Sequence, residues 1–235
     1  RHMRNDGRGC FRHELKFLMN KADAMELRQR LSFVLAEDLH AKDGVYTIRS
    51  LYFDDRDDSA YEEKMAGIES RRKYRIRFYN GDDSVVHLEC KRKEGQYIQK
   101  LSAGLTRQEA ESLVAGRYEF LLERNEKICK DFYAGCIING MKPVVIVDYE
   151  REPFVYQYGN VRITFDSNIR AGMYVNRPFD MDMPVTHVID RDKLILEVKY
   201  TEFLPEIIRD LLPVDNSVQL AFSKYTMCLE KRKEL

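Results

Sequence analysis

The chain of 235 residues has little of what marks several protein classes. It has no net charge, 39 Lys and Arg against 39 Asp and Glu, which argues against a free-standing polybasic binder. Six prolines and twelve glycines beside 44% hydrophobic residues exclude disordered and collagen-like chains. The cysteines (Cys10, Cys90, Cys129, Cys136, Cys228) are odd in number and include no C-x-x-C pair. Neither a disulfide framework nor a zinc ribbon is therefore indicated, and a reducing, cytoplasmic setting is expected. The longest aliphatic run, Val144 to Val147, falls far short of the roughly 20 residues of a membrane span. No signal-peptide pattern is present at the start, and no direct membrane insertion is expected. Residues 1–10 are expected to be flexible and partly vector-derived, beginning as they do Arg1-His2-Met3.

Repeats, low-complexity tracts and Pro/Ser-rich linkers are also missing, so one domain over 1–235 is expected. Apolar spacing predicts a helix over about 21–39, and Thr106-x-x-Glu109 is a capping box opening another through about Ala115. Further helices are expected over about 57–65, 117–138, 202–211 and 217–232. Between them, period-two alternation predicts strands at Phe11 to Leu18, Tyr46 to Asp54, Lys73 to Tyr79, Val85 to Lys93, Val144 to Pro153, Val161 to Asp166 and Leu194 to Tyr200. The fold class is α+β with mainly antiparallel strands.

Residues i and i+2 of a strand share a face, and on that rule charges line up repeatedly. Arg12, Glu14 and Lys16 oppose His13, Leu15 and Phe17; Lys73, Arg75 and Arg77 oppose Tyr74, Ile76 and Phe78; Glu89, Lys91 and Lys93 oppose Leu88 and Cys90. Tyr149 with Arg151, Arg162 with Thr164 and Asp166, and Glu197 with Lys199 repeat the pattern. Taken singly, each could be the wet face of an ordinary antiparallel sheet. Taken together, they put an excess of base on one side of the sheet in a neutral chain. If that sheet closes with its apolar face outward beneath the helices, the charges line the interior, and a polyanion must enter to offset them. Phosphate suits this lining, since Arg forks bind two oxygens and Lys supplies movable point charges. Glu14, Glu89 and Glu197 would sit poorly beside polyphosphate alone, whereas a divalent ion binds carboxylate and phosphate oxygens together. The histidines form no evident triad, and the aromatic residues fall mainly on apolar faces, so no stacking platform for nucleic acid is expected.

These residues resemble the VTC (vacuolar transporter chaperone) polyphosphate polymerase domain of the triphosphate tunnel metalloenzyme (CYTH-like) superfamily, in a stand-alone bacterial form. The resemblance rests on Arg12-His-Glu-Leu-Lys-Phe17, Ser50-Leu-Tyr-Phe-Asp54, Arg72-Lys-Tyr-Arg-Ile-Arg77, Glu89-Cys-Lys91, Tyr149-Glu-Arg151, Arg162-x-Thr164-x-Asp166, Leu196-Glu-Val-Lys199 and Ser223-Lys-Tyr225, in that order. It implies an eight-stranded antiparallel β-barrel, the triphosphate tunnel fold, with helices packed outside. It further implies transfer of the γ-phosphate of a nucleoside triphosphate such as ATP to inorganic polyphosphate, with Mn2+ or Mg2+. By the same resemblance, Lys16, Lys64, Arg75, Arg77, Lys91, Lys100, Tyr149, Arg151, Arg162, Lys199, Ser223 and Lys224 would bind phosphates. Lys16, Arg75, Arg77, Lys224 and Glu197 would be catalytic, and Glu197 with Glu14 would hold the metal. The hydrolytic CYTH branch typically begins E-x-E-x-K, where this chain has Arg12-x-Glu14-x-Lys16; that departure favours the VTC branch. Hydrolysis of tripolyphosphate or another triphosphate, or binding without turnover, are the alternatives.

Overall fold

The computed structural model describes residues 10–11, 13–37, 44–65, 70–95, 97–156, 158–201, 203–212, 218–221 and 223–234. Arg12 lies outside them, as does the side chain of Lys64. Twelve strands occur among the described residues, eight of them long: β2 (His13–Asn20), β4 (Tyr46–Asp54), β5 (Ser70–Tyr79), β6 (Asp82–Glu94), β7 (Tyr97–Leu105), β8 (Lys142–Tyr156), β9 (Val161–Gly172) and β11 (Lys193–Tyr200). The short ones are β1 (Cys10–Phe11), β3 (Ala36–Glu37), β10 (Val185–His187) and β12 (Val218–Gln219). The helices are α1 (Lys21–Ser32), α2 (Ser59–Met65), α3 (Arg107–Val114), α4 (Lys127–Asn139), α5 (Glu206–Arg209) and α6 (Lys224–Lys233). The α+β class with eight principal, mostly antiparallel strands is the one expected.

The chain forms two compact units, and it passes from one to the other inside β4, β8 and β9. The first unit comprises residues 1–11, 49–146 and 172–184, with strand order β1-β7-β6-β5-β4. Its β5–β6 hairpin turns at Asn80 and Gly81, both at positive φ (52° and 67°), the backbone that a tight two-residue turn requires. Tyr74, Ile76, Phe78, Leu88, Cys90, Ala103 and Leu105 are buried on one face of β5–β7. Phe132 of α4 meets Phe53 and Tyr74 at ring distances of 5.1 and 5.2 Å.

The second unit comprises 12–48, 147–171 and 185–235, with order β8-β9-β11-β2-β12. Leu196 and Val198 of β11, Ile163 and Phe165 of β9, and Phe17 and Met19 of β2 share one apolar face with Ala24, Leu27 and Leu31 of α1 and Ile208 of α5. Each unit therefore hides one sheet face under helices, and the charged residues are left on the other.

Several boundaries differ from those expected, each for a tertiary reason. The helix over 117–138 is broken into a 3-10 turn at Glu119–Glu123 and α4, because Arg124 is extended (ψ 142°) and is held by Glu109, Glu126 and the Gly104 carbonyl. The first helix stops at Ser32, and β3 follows, paired with β8. α5 begins only after Pro205, and the segment expected to open the last helix instead supplies β12 on β2. The sequence does not predict β7, whose run of small residues Ser102, Ala103 and Gly104 weakens its strand pattern; its register on β6 specifies it. The capping box is as expected, with the Thr106 hydroxyl accepting from the Glu109 amide at 3.1 Å and the Glu109 carboxylate accepting from the Thr106 amide at 2.7 Å.

Candidate functional site

In the second unit, strand register assembles the charged face. Lys199 stands opposite Glu14 on β2 and Arg162 on β9, while Glu197 stands opposite Lys16 and Thr164. Between β11 and β2 cation thus faces carboxylate in both rows, while between β11 and β9 Lys199 faces a second cation, Arg162. Arg151 of β8 forks onto Asp166 of β9, with Nε 2.7 Å from Oδ1 and Nη2 2.6 Å from Oδ2, and reaches Glu197 Oε2 at 3.3 Å. Lys224, the first residue of α6, puts its ammonium 2.5 Å from both Asp166 Oδ2 and Glu197 Oε1. Lys199 lies 3.0 Å from Glu197 Oε2, and Lys16 lies 3.2 Å from Glu14. The Tyr149 ring supports the Arg151 and Lys224 cations from 5.3 and 5.0 Å. Arg151, Asp166, Glu197, Lys224 and Tyr149 are all buried.

Burial and charge act in opposite directions on these groups, and charge wins. Burial pushes Glu197 up, but Lys199, Lys224, Arg151 and Lys16 together hold it well below the ordinary carboxylate value. Burial pushes Lys224 and Arg151 down, while Asp166 and its neighbours raise both above their ordinary values. Glu197, Lys224 and Arg151 are therefore ionised at neutral pH.

The first unit carries a smaller counterpart. Arg75 holds Glu89 through Nε at 2.8 Å and Nη2 at 2.6 Å, and donates to the Tyr52 hydroxyl at 3.0 Å. Lys100 of β7 reaches the same carboxylate at 2.5 Å. Arg77 donates to Ser50 Oγ at 2.8 Å, which accounts for the serine of the Ser50–Asp54 motif. Asp54 is directed elsewhere: its carboxylate accepts from the amides of Ala60 and Tyr61 and so fixes the start of α2.

Glu89 yields a prediction. Burial opposes its ionisation, yet Arg75, Arg77 and Lys100 lower its pKa from 4.5 to about 2. A depressed carboxylate stabilises the fold above its unfolded value and loses that contribution as pH falls through the folded value. This amounts to about 3 kcal/mol, lost between about pH 4.5 and about pH 2. Glu89→Gln should therefore unfold in less urea than wild type at neutral pH, and the gap should narrow as the pH falls through that window.

Lys16, Glu14, Tyr149, Arg151, Lys199, Glu197 and Lys224 are brought together in the second unit, and Arg75, Arg77 and Lys100 gather beside Glu89 in the first, with Lys91 one step along β6. Ser223 is the N-cap of α6, its Oγ accepting from the Thr226 amide, so it sets the angle at which Lys224 enters. Arg162 is exposed and donates to the Tyr46 hydroxyl at 3.3 Å. Sequence reasoning left out Asp166, Tyr46 and Tyr52 as functional positions. The period-two rule puts Asp166 on the charged face with Arg162 and Thr164 but assigns it no partner. His13 is a packed strand residue, its ring stacked on Tyr200 at 4.9 Å.

Among the described residues, no three His, Cys, Asp or Glu side chains gather as a metal-binding group. Two carboxylates, Asp166 and Glu197, do converge on one cation, the Lys224 ammonium. Mg2+ characteristically takes one or two protein carboxylates with substrate phosphates and water, so this donor set fits an ion that arrives with a triphosphate. Among the described residues no helix is long and apolar enough to cross a membrane.

Two solved structures resemble the chain at low identity. The PH1819 protein of Pyrococcus horikoshii OT3 is 16% identical over 94% of this chain and 100% of its own, with a TM-score of 0.49. HpAC1 of Hippeastrum, described as an adenylyl cyclase candidate with a dominant triphosphatase activity, is 15% identical over 84% of this chain and 82% of its own, with a TM-score of 0.48. No curated protein matches. The VTC domain family matches residues 11–232, nearly the whole chain and every charged strand described above, and the chain belongs to that family.

Proposed function

We propose that this protein is a polyphosphate polymerase-like phosphoryl transferase, moving the γ-phosphoryl group of a nucleoside triphosphate such as ATP onto phosphate or a growing polyphosphate end. Membership of the VTC domain family supports an enzyme that handles triphosphates, by transfer or by hydrolysis. The choice of transfer rests on one observation: two carboxylates of the clusters are ion-paired and held at low pKa, Glu197 by Lys199, Lys224, Arg151 and Lys16, and Glu89 by Arg75, Arg77 and Lys100. Such groups are poor bases at neutral pH, and hydrolysis needs a base to take a proton from water. A phosphate acceptor is already anionic and needs only positioning and charge neutralisation.

In this reading Lys16, Arg151, Arg162, Lys199 and Lys224 hold phosphate oxygens on the charged face of the second unit, and within the first unit Arg75, Arg77, Lys91 and Lys100 form a phosphate-binding face of their own. Tyr149 keeps Arg151 and Lys224 in place, and Ser223 fixes the helix that carries Lys224. An acceptor oxygen forms a bond to the γ-phosphorus as the bond to the bridging oxygen breaks, and the nucleoside diphosphate leaves with the electron pair. Glu197, with Glu14 nearby, would hold Mn2+ or Mg2+, which when bound neutralises charge on the phosphate oxygens.

The test is incubation of the purified protein with ATP and Mn2+, with and without a short polyphosphate primer, followed by gel separation and polyphosphate staining. Long chains are expected. Orthophosphate alone would replace this reading with a triphosphatase, and tight tripolyphosphate binding without turnover would replace it with a binding module.

A further inference from the structure

On the charged face of the second unit, Thr164 of β9 differs from its neighbours. The residue is 1% exposed, and its hydroxyl oxygen is buried with no hydrogen-bond partner among the described residues. Strand register puts it in the middle of the face: Glu197 of β11 stands opposite it, and Lys16 of β2 stands on the far side of Glu197. Along β9 it lies between Arg162, which is exposed, and Asp166, which is fully buried. The nearby carboxylates are committed elsewhere. Glu197 receives Lys224 on Oε1 at 2.5 Å, and Lys199 and Arg151 on Oε2 at 3.0 and 3.3 Å. Asp166 receives Arg151 on both oxygens and Lys224 on Oδ2.

A hydroxyl buried without a partner has lost its hydration and gained nothing in return, so such groups are few in folded proteins and each calls for an explanation. Packing does not supply one. Valine has nearly the same shape, suits a strand equally well, and would fill the position without burying a polar atom. A ligand oxygen entering beside Glu197 does supply one, because it gives the hydroxyl an acceptor. The bases at the adjoining positions, Arg162 on β9 and Lys199 and Lys16 on the neighbouring strands, make that oxygen an anionic one.

We propose that Thr164 is a substrate-contacting residue whose hydroxyl donates a hydrogen bond to a non-bridging oxygen of the bound triphosphate and so fixes how that phosphate group is turned among the surrounding bases. This rests on the triphosphate-handling reading above and deepens it by assigning a directional contact to a neutral side chain. The free protein keeps the hydroxyl unsatisfied, and binding restores its hydrogen bond. The contact therefore adds affinity without adding charge, which separates it from the contribution of any lysine or arginine of the face.

The test measures tripolyphosphate binding by calorimetry in chelator, with urea unfolding alongside, on wild type, Thr164→Val and Thr164→Ser. Thr164→Val should bind about ten- to a hundredfold more weakly, the scale of a hydrogen bond to a charged acceptor. It should unfold in no less urea than wild type, since the free protein loses no bond. Its salt dependence should match that of wild type, because screening acts on charges and the substitution removes none. Thr164→Ser keeps the donor and should bind within about threefold of wild type. With ATP as substrate, kcat/KM should fall in the Val variant and recover in the Ser variant. A Val variant that binds as wild type does overturns the contact, as does a Ser variant as weak as Val. A Val variant that unfolds in markedly less urea would make the hydroxyl part of the fold and overturn the proposal. Weakening confined to solutions containing Mn2+ or Mg2+ would assign the hydroxyl to the metal ion and overturn the contact with phosphate. These outcomes leave the proposed function standing, whereas wild type that binds no tripolyphosphate overturns that function along with the contact.

Discussion

Lys224→Ala is expected to lower kcat/KM for phosphoryl transfer by about a thousandfold or more and to destabilise the fold by about 3–5 kcal/mol. Both effects have one source. The ammonium is buried and lies 2.5 Å from Asp166 and from Glu197, so its removal leaves two buried carboxylates sharing the remaining cations. The same ammonium is the group best placed to turn from carboxylate to phosphate when a triphosphate binds, because lysine is a movable point charge where Arg151 is a fixed fork. Lys224→Met separates the two effects. It keeps most of the side chain's length while removing the charge, so part of the stability should return and none of the activity. Urea unfolding and product gels on the two variants provide the comparison, and a Met variant retaining more than about a tenth of wild-type turnover would remove Lys224 from phosphate binding.

Glu197→Gln is expected to move two ligands in opposite directions. Without metal, loss of one negative charge from a phosphate-binding face should tighten tripolyphosphate binding by about fivefold, the scale of a single charge interaction near a protein surface. With Mn2+ or Mg2+, turnover should fall by at least about a hundredfold, and the metal concentration needed for half activity should rise. Calorimetry in chelator and a metal titration of activity measure the two halves. If the variant loses affinity for tripolyphosphate in chelator, Glu197 is acting mainly by ordering Lys199 and Lys224, each of which it holds directly at 3.0 and 2.5 Å.

The charged faces were legible because period-two alternation survives in β2, β5, β6, β9 and β11 almost without exception, and local geometry alone fixes which residues share a face. The Thr106 capping box was legible for the same reason: it is decided within four residues. The partner of each charge was not legible. Arg151, Asp166, Glu197 and Lys224 come from four separated elements, and nothing local says that one lysine will bridge two acids. The helix expected over 117–138 failed on the same ground, since its break at Arg124 depends on Glu109 and on the Gly104 carbonyl. β7 was hidden because Ser102 and Gly104 occupy charged-face positions, and with it went the pairing of Lys100 with Glu89.

The pairing of β2 with β11 and β12 bears on how the protein is made. His13–Asn20 leaves the ribosome long before its partners, Lys193–Tyr200 and Val218–Gln219. Until then β2 has bare edges and its apolar face lacks neighbours, while the first unit already has β5, β6 and β7 joined by short turns. The second unit thus completes itself only after β11 and β12 have emerged, through contacts between distant parts of the sequence that form slowly. Recombinant yield should accordingly respond to slower synthesis at low temperature, and early termination should leave the charged cluster of the second unit unmade.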